Sequence, residues 1–267
     1  MAETYFHSEL SEKAVDAAIR EAEKGVAILD RAEVESRIER RDVTLFIDLG
    51  KYYKAKADLR ALSNDLPTAA DFGEKSVAVL KRAATVDAWV NQESRRTLLA
   101  RGTPPEEIHP VGRPDLHQAL AMVYFQSSDF ANAIRSAYAA AQLAPDDPGS
   151  WLFIARCSRM MGRPDKANVS DLMAVLVSSR FAPAWADLQR GYAQSGLKTN
   201  PITVGKDGRY QLDGTQPQVR SDMKTACALY DHFMREGNYS ADADNFRLYA
   251  RRYFHLAPWD PAEAPKS

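Results

Sequence analysis

The chain of 267 residues has 45% hydrophobic and 9% aromatic side chains, which is enough apolar material for one elongated or two compact domains. Its 35 Lys and Arg residues nearly balance its 36 Asp and Glu residues, so no overall charge would draw it to nucleic acid or to an anionic membrane. Any electrostatic recognition must therefore be local.

The beginning of the chain lacks the basic stretch and the apolar run of a secretory signal, and no segment is apolar for long enough to cross a bilayer. We therefore expect a soluble, cytoplasmic protein without a membrane span. The two cysteines, Cys157 and Cys227, are 70 positions apart (227−157) in helix-like apolar patterns. We expect them to be small core residues rather than a disulfide or a metal site.

Residues 1–112 are predicted to form an N-terminal helical region with one divergent repeat. Apolar residues recur there at helical spacing, first at Val15, Ile19, Ala22, Val26 and Leu29, and again at Phe46, Leu49 and Tyr53. The segment 71–87 predicts a helix that pairs with the second of these, after some extra residues. The stretch 91–114, NQESRRTLLARGTPPEEIHPVGRP, is rich in turn residues and predicts a connector after one short helix.

Residues 113–196 contain an internal period of 34 residues. Within it Asp147 is expected to cap a helix, and Gly162 and Gly196 are expected to lie in the hairpin turns. Trp185 follows Trp151 by 34 positions (185−151), and the same shift relates many small and apolar residues. These are the pairs Ala121 and Ala155, Ala133 and Ala167, and Ala140 and Ala174, and the series Leu120, Ile154 and Leu188. Alanines at such positions let helix axes approach to about 8–10 Å. The two tryptophans are predicted to fill the space between successive helical hairpins.

Three stretches carry the period: HQALAMVYFQSSDFANAIRSAYAAAQLAP (117–145), WLFIARCSRMMGRPDKANVSDLMAV (151–175) and WADLQRGYAQSG (185–196). In this register the chain resembles the tetratricopeptide repeat family, a helix–turn–helix unit of 34 residues that begins W-x2-L-G-x2-Y. The resemblance implies an all-α fold, a short α-solenoid of helical hairpins with divergent helical flanks. The chain departs from the family pattern where His117 replaces the tryptophan and where Ala137 and Asp171 occupy a bulky aromatic slot.

Residues 197–267 are predicted to be a loop or hairpin followed by capping helices. The third copy is expected to lack its second helix, because two short alternating runs about residues 206–208 predict a small β-hairpin instead. Helices are predicted at 216–235 and 241–255. The segment 246–255, FRLYARRYFH, interleaves arginines with aromatic residues and either contacts nucleic acid or forms a core stripe. The balanced overall charge favours the core stripe.

No pattern of catalytic or metal-binding residues stands out. The five histidines form no H-x3-H or H-E-x2-H motif, and no glycine-rich phosphate loop or nucleophile elbow occurs. The sequence therefore predicts no enzyme, no metal and no cofactor.

The resemblance implies that the first helices of the hairpins line a concave groove. Met122, Arg156 and Arg190 would share one repeated slot in it, and Phe125 and Arg159 another. These residues predict an adaptor or scaffold that binds a protein or peptide partner, and the arginines favour an acidic one. Ordinary solvated arginines remain an open alternative. A second hypothesis is a structural subunit of a larger or self-associating assembly.

Overall fold

The computed structural model describes residues 11–34, 43–104, 108, 112–197, 199–206 and 210–236. Nine helices and one two-stranded sheet lie in these ranges. They are α1 (Glu12–Val34), α2 (Val43–Leu62), α3 (Leu66–Ala100), α4 (Pro114–Gln126), α5 (Phe130–Leu143), α6 (Pro148–Met160), α7 (Pro164–Val177), α8 (Ala182–Gln194), β1 (Ile202–Val204), β2 (Tyr210–Leu212) and α9 (Pro217–Glu236). The predicted all-α fold with one small β-hairpin is confirmed.

The chain divides into two compact units, Met1–Asp129 and Phe130–Ser267. The boundary falls between α4 and α5, which the sequence assigns to one copy of the repeat. Within each unit, successive helices pack against each other as pairs. The three-part organisation 1–112, 113–196 and 197–267 stays a prediction.

The first unit has an apolar core in two parts. One part joins α1 to α2 and consists of Val15, Ile19, Ala22, Leu49 and Tyr53. The other joins α2, α3 and α4 around Phe46, Ile47, Leu80, Leu116 and Leu120. The helical spacing that predicted α1 and α2 thus identified the residues that these helices bury.

The third helix differs from the prediction. Leu66–Ala100 is a single helix of 35 residues, whereas the sequence suggested a helix near 71–87 and a separate short one. The chain contains neither Gly nor Pro between Glu74 and Arg101, so nothing interrupts the helical backbone there. The helix ends at Ala100. Gly102, with a φ of 85°, and the hydrogen bond from Thr103 N to Leu98 O form a C-terminal cap just after it.

The helices of the second unit begin and end at the cap and turn residues that the sequence predicts. Asp147 caps α6, accepting hydrogen bonds from the backbone nitrogens of Gly149 at 3.1 Å and Ser150 at 2.9 Å. Gly162 and Gly196, 34 positions apart (196−162), both have positive φ, at 68° and 77°. Each follows the first helix of a repeat copy, where a left-handed backbone ends the helix and glycine avoids strain.

The two tryptophans of the repeat make equivalent hydrogen bonds. The indole Nε1 of Trp151 donates to the carbonyl of Pro145 at 3.2 Å, and that of Trp185 donates to the carbonyl of Ser179 at 2.9 Å. Each acceptor lies six residues before its donor. Both rings are buried, as are the period-related alanines Ala133, Ala140, Ala155, Ala167 and Ala174. The period in the sequence is therefore also a period in the packing.

After α8 the chain leaves the repeat pattern, as predicted. Strands β1 and β2 pair antiparallel, with Ile202 opposite Leu212. The ring of Tyr210 stacks on Trp185 with 5.0 Å between centroids. Helix α9 then packs along α7 and so covers the last complete hairpin, as a capping helix does. The predicted helix 241–255, with its arginine and aromatic residues 246–255, lies outside the described residues.

The two cysteines, Cys157 and Cys227, are buried and not joined in a disulfide, as the apolar patterns around them predicted. No helix in the described ranges combines the length and the hydropathy that crossing a bilayer requires.

Candidate partner-binding site

The five residues predicted to bind a partner lie in both units. Met122 and Phe125 are on α4 in the first unit, where each is half-buried. Arg156 and Arg159 are on α6 and Arg190 is on α8, in the second unit. The structure brings the three arginines together around one carboxylate.

That carboxylate belongs to Asp187 on α8. Nε of Arg156 donates to its Oδ2 at 2.9 Å, and a terminal nitrogen of Arg190 contacts its Oδ1. The side chain of Asp187 is only 4% exposed, whereas those of Arg156 and Arg190 are 43% and 70% exposed. A buried carboxylate therefore holds two exposed guanidinium groups from two different helices.

Arg159 is the more buried member of the group. Its Nη2 donates to the backbone carbonyl of Asp187 at 3.0 Å and also contacts Oδ2 of Asp171. Its Nη1 lies 3.9 Å from Oδ2 of Asp187. Arg159 thus connects the carboxylate of Asp187, which holds the exposed arginines, to the fully buried carboxylate of Asp171. We call Arg156, Arg159, Arg190, Asp171 and Asp187 the arginine site.

Helical periodicity explains how the sequence forms this site. Arg156 and Arg190 are 34 positions apart (190−156) and occupy the same slot of successive copies. Asp187 precedes Arg190 by three residues, a spacing that places two side chains on one face of a helix. Asp187 also occupies the slot that holds Phe153 in the preceding copy (187−153 is 34). The repeat thus exchanges an aromatic residue for the carboxylate that pairs the arginines.

Asp171 lies on α7 and its side chain is fully buried. It stands in the slot where the tetratricopeptide pattern has a bulky aromatic residue. Burial raises the pKa of Asp171 to about 7, although the charge of Arg159 acts in the opposite direction. Its Oδ1 has no hydrogen-bond partner among the described residues. The carboxyl group is therefore ready to change its protonation near neutral pH.

Further polar side chains lie behind the arginines, between α7, α8 and α9. Asn168 is buried one turn before Asp171, and its Oδ1 has no hydrogen-bond partner in the described part of the chain. Asp222 on α9 accepts a hydrogen bond from Gln218 at 2.8 Å, and burial raises its pKa. Burial also raises the pKa of Tyr192, which lies beside Asp222. Polar contacts thus continue from the arginine site into the interior of the unit.

The arginine site carries an excess of positive charge. Three guanidinium groups and two ionised carboxylates leave a net charge of +1 (3−2). A guanidinium has five N–H donors. The hydrogen bond from Arg156 to Asp187 uses only Nε, so the terminal nitrogens of Arg156 lie outside that bond. The site can therefore offer a fork of donors to a second carboxylate.

The sequence reasoning missed three residues in or next to the arginine site. Asp171 and Asp187 pair the arginines, and Met160, which is 60% exposed, follows Arg156 by one helical turn. The signal for Asp187 was its spacing of three residues from Arg190. The signal for Met160 was its spacing of four residues from Arg156. No sequence signal connected Asp171 to Arg159, since they lie on different helices.

A scan against protein-family models matches no family, and a search of the curated proteins finds no match. The tetratricopeptide resemblance therefore stays a prediction that depends on the period and its packing. Within the described ranges, no group of three or more His, Cys, Asp or Glu side chains is arranged to hold a metal ion.

Proposed function

We propose that the protein is a non-enzymatic, tetratricopeptide-like adaptor that binds an acidic segment of a partner protein at its arginine site. One observation carries this proposal. Arg156 and Arg190, at the same slot of successive copies, share the carboxylate of Asp187 and yet remain 43% and 70% exposed. Arginine is the side chain best suited to hold carboxylates through paired hydrogen bonds.

Pre-organisation supports this assignment. Free arginine side chains lose rotamer freedom when they bind, which reduces affinity. The contacts to Asp187 already restrain Arg156 and Arg190, so a partner would meet side chains that are in place.

Small exposed side chains flank Arg190 on α8. Ala186 and Ala193 are exposed on α8, four residues before and three residues after Arg190. Their small side chains leave space for a partner backbone beside the guanidinium. On α6 the exposed Met160 adds apolar area next to Arg156. Charge would select the partner, while apolar burial would add affinity.

The proposal is tested with a fluorescent peptide of eight glutamates and the double variant Arg156→Gln, Arg190→Gln. Glutamine removes the charge but keeps a donor for Asp187, which limits damage to the fold. We expect the Kd, measured by fluorescence anisotropy, to rise at least about tenfold, because each charge-assisted hydrogen bond contributes about 1.5–3 kcal/mol.

The matched control is Arg163→Gln, Arg180→Gln, which removes two exposed charges from the same unit outside the arginine site. Its affinity should stay close to that of the wild type. Equal weakening in both double variants would show binding to net charge alone and would contradict the proposed site. Unchanged affinity in the Arg156, Arg190 variant would contradict it as well.

A second function is favoured by the apolar residues exposed on the first unit, and it is that of a structural subunit in a larger or self-associating assembly. The large apolar side chains exposed there are Ile28, Leu62, Leu66, Trp89 and Leu99. Light scattering against concentration separates the two functions. A monomer that binds the glutamate peptide supports the adaptor, whereas concentration-dependent oligomers without peptide binding support the subunit.

A cytoplasmic location belongs to the same proposal. The free cysteines Cys157 and Cys227 suit a reducing compartment, where thiols stay reduced.

A further inference from the structure

We propose that Asp171 controls the charge of the arginine site, so that uptake of a proton by Asp171 strengthens binding of an acidic partner. This regulation rests on the proposed function and concerns the same site. Protonation would leave Arg159 without the ionised carboxylate of Asp171 and make its charge available to Asp187.

A continuous chain of contacts links the interior to the surface. Asp171 contacts Nη2 of Arg159, and the same nitrogen donates to the backbone carbonyl of Asp187 at 3.0 Å. Nη1 of Arg159 is 3.9 Å from Oδ2 of Asp187, the oxygen that also accepts from Arg156. A change of charge at Asp171 is therefore three contacts away from the exposed guanidinium group of Arg156.

One of the two carboxyl oxygens of Asp171 can take up the proton. Oδ2 of Asp171 contacts Arg159, while Oδ1 has no hydrogen-bond partner in the described ranges. A proton on Oδ1 would leave the contact with Arg159 intact. Asn168, three residues earlier on the same helix, has an Oδ1 that is likewise without a partner there. Side chains at this spacing are neighbours, so the amide oxygen can accept from the new hydroxyl.

The groups that face Asp171 come from each helix packed on α7. From α6 they are Arg156 and Arg159, and from α8 they are Asp187 and Tyr192. From α9, Asp222 interacts with Asn168 and Tyr192. Burial opposes the charged form of Asp171 more strongly than the arginines favour it, which raises its pKa to about 7. Its protonation therefore changes within the physiological range.

The charge of the site follows directly. With both carboxylates ionised the net charge is +1, and with Asp171 neutral it is +2 (3−1). One added charge, several ångströms from a bound carboxylate and partly screened by water, should raise affinity about threefold.

The experiment measures the Kd of the eight-glutamate peptide at pH 6 and pH 8 with constant ionic strength. The glutamates stay ionised at both values because their ordinary pKa is about 4.3. We expect the wild type to bind about threefold more tightly at pH 6 than at pH 8. The variant Asp171→Asn should not show this threefold difference in Kd between pH 6 and pH 8. Contributions that do not depend on Asp171 are common to both proteins, so they cancel in the comparison.

A second measurement on the wild type keeps the two proposals separate. Carbon NMR of the Asp171 carboxyl group against pH should show a midpoint near 7. A midpoint below about 5, close to the ordinary aspartate value, would overturn the regulation whatever the peptide does. Equal pH ratios in the wild type and Asp171→Asn would overturn the regulation but not the proposed function. Absence of peptide binding at both pH values would overturn the proposed function itself.

Discussion

Gly191 and Asn168 lie so close together that a methyl group on Gly191 would be 2.2 Å from Oδ1 of Asn168. The same methyl group would be 3.1 Å from Nη2 of Arg159. The first distance is far below van der Waals contact, so α7 and α8 approach each other only because residue 191 has no side chain. Arg159, which contacts Asp171 and lies 3.9 Å from Asp187, packs at the same place.

The variant Gly191→Ala should therefore lower the free energy of unfolding by about 1–3 kcal/mol, the range for overpacking a core. Urea unfolding followed by circular dichroism measures the change. The control is Gly73→Ala on α3, where an added methyl group meets no atom within 4 Å. Alanine is the better helix former, so this control should raise stability by about 0.5–1 kcal/mol. Equal stability of the two variants would contradict the packing of α7 on α8.

Because the two tryptophans make equivalent hydrogen bonds, replacing either one should lower the free energy of unfolding by a similar amount. Trp151→Phe and Trp185→Phe each remove an indole donor and leave a carbonyl, that of Pro145 or Ser179, without its partner. Each variant should lose about 2–4 kcal/mol from the lost hydrogen bond and the smaller ring. Trp89→Phe is the control, because Trp89 is 43% exposed and should change stability by less than about 0.5 kcal/mol. Costs that differ greatly between the two repeat positions would argue against the shared packing.

The cap of α6 gives a third prediction. Asp147→Ala removes the acceptor for the backbone nitrogens of Gly149 and Ser150 and should lower stability by about 0.5–2 kcal/mol. Arg163→Ala is the matched control, since Arg163 holds the same position before α7 and makes no capping hydrogen bond. Thermal unfolding of the two variants side by side measures the difference. A larger loss in the control would contradict the assigned cap.

Stability should depend on pH through Asp171. Its pKa is raised to about 7 in the folded protein, whereas in the unfolded chain it has its ordinary value near 3.9. Between these two pKa values the folded state keeps a proton that the unfolded state has released. The free energy of unfolding therefore falls as the pH rises. The stability of the wild type relative to Asp171→Asn should therefore fall between pH 4.5 and pH 8. A relative stability that stays constant over this range would contradict the raised pKa, because a carboxylate dominated by Arg159 is ionised in both states above pH 4.5.

Local and periodic features of the fold were predictable from the sequence. The period of 34 residues identified the buried alanines and the two equivalent tryptophans, because a repeated unit repeats its packing. Asp147 and Gly162 were identified as cap and turn residues, since these roles depend on the backbone nearby. The small hairpin between β1 and β2 followed from two short alternating runs around turn residues.

Contacts between distant segments were not predictable in the same way. Arg156 and Arg190 were identified as a repeated pair, but their pairing with Asp187 depends on how α6 meets α8. The contact of Arg159 with Asp171 depends in the same way on how α6 meets α7. The length of α3 was underestimated because its last turns lack the apolar stripe by which helices are recognised.

Those last turns of α3 differ from the rest of the helix in what maintains them. Every residue from Asn91 to Ala100 keeps part of its surface in contact with solvent, over about 15 Å of helix. Local contacts support this segment, such as the ion pair of Glu93 with Arg96 at 2.5 Å. Its amide protons should therefore exchange with deuterium well before those of the turns around Leu80. Proteases should also make their first cut in α3 within this segment.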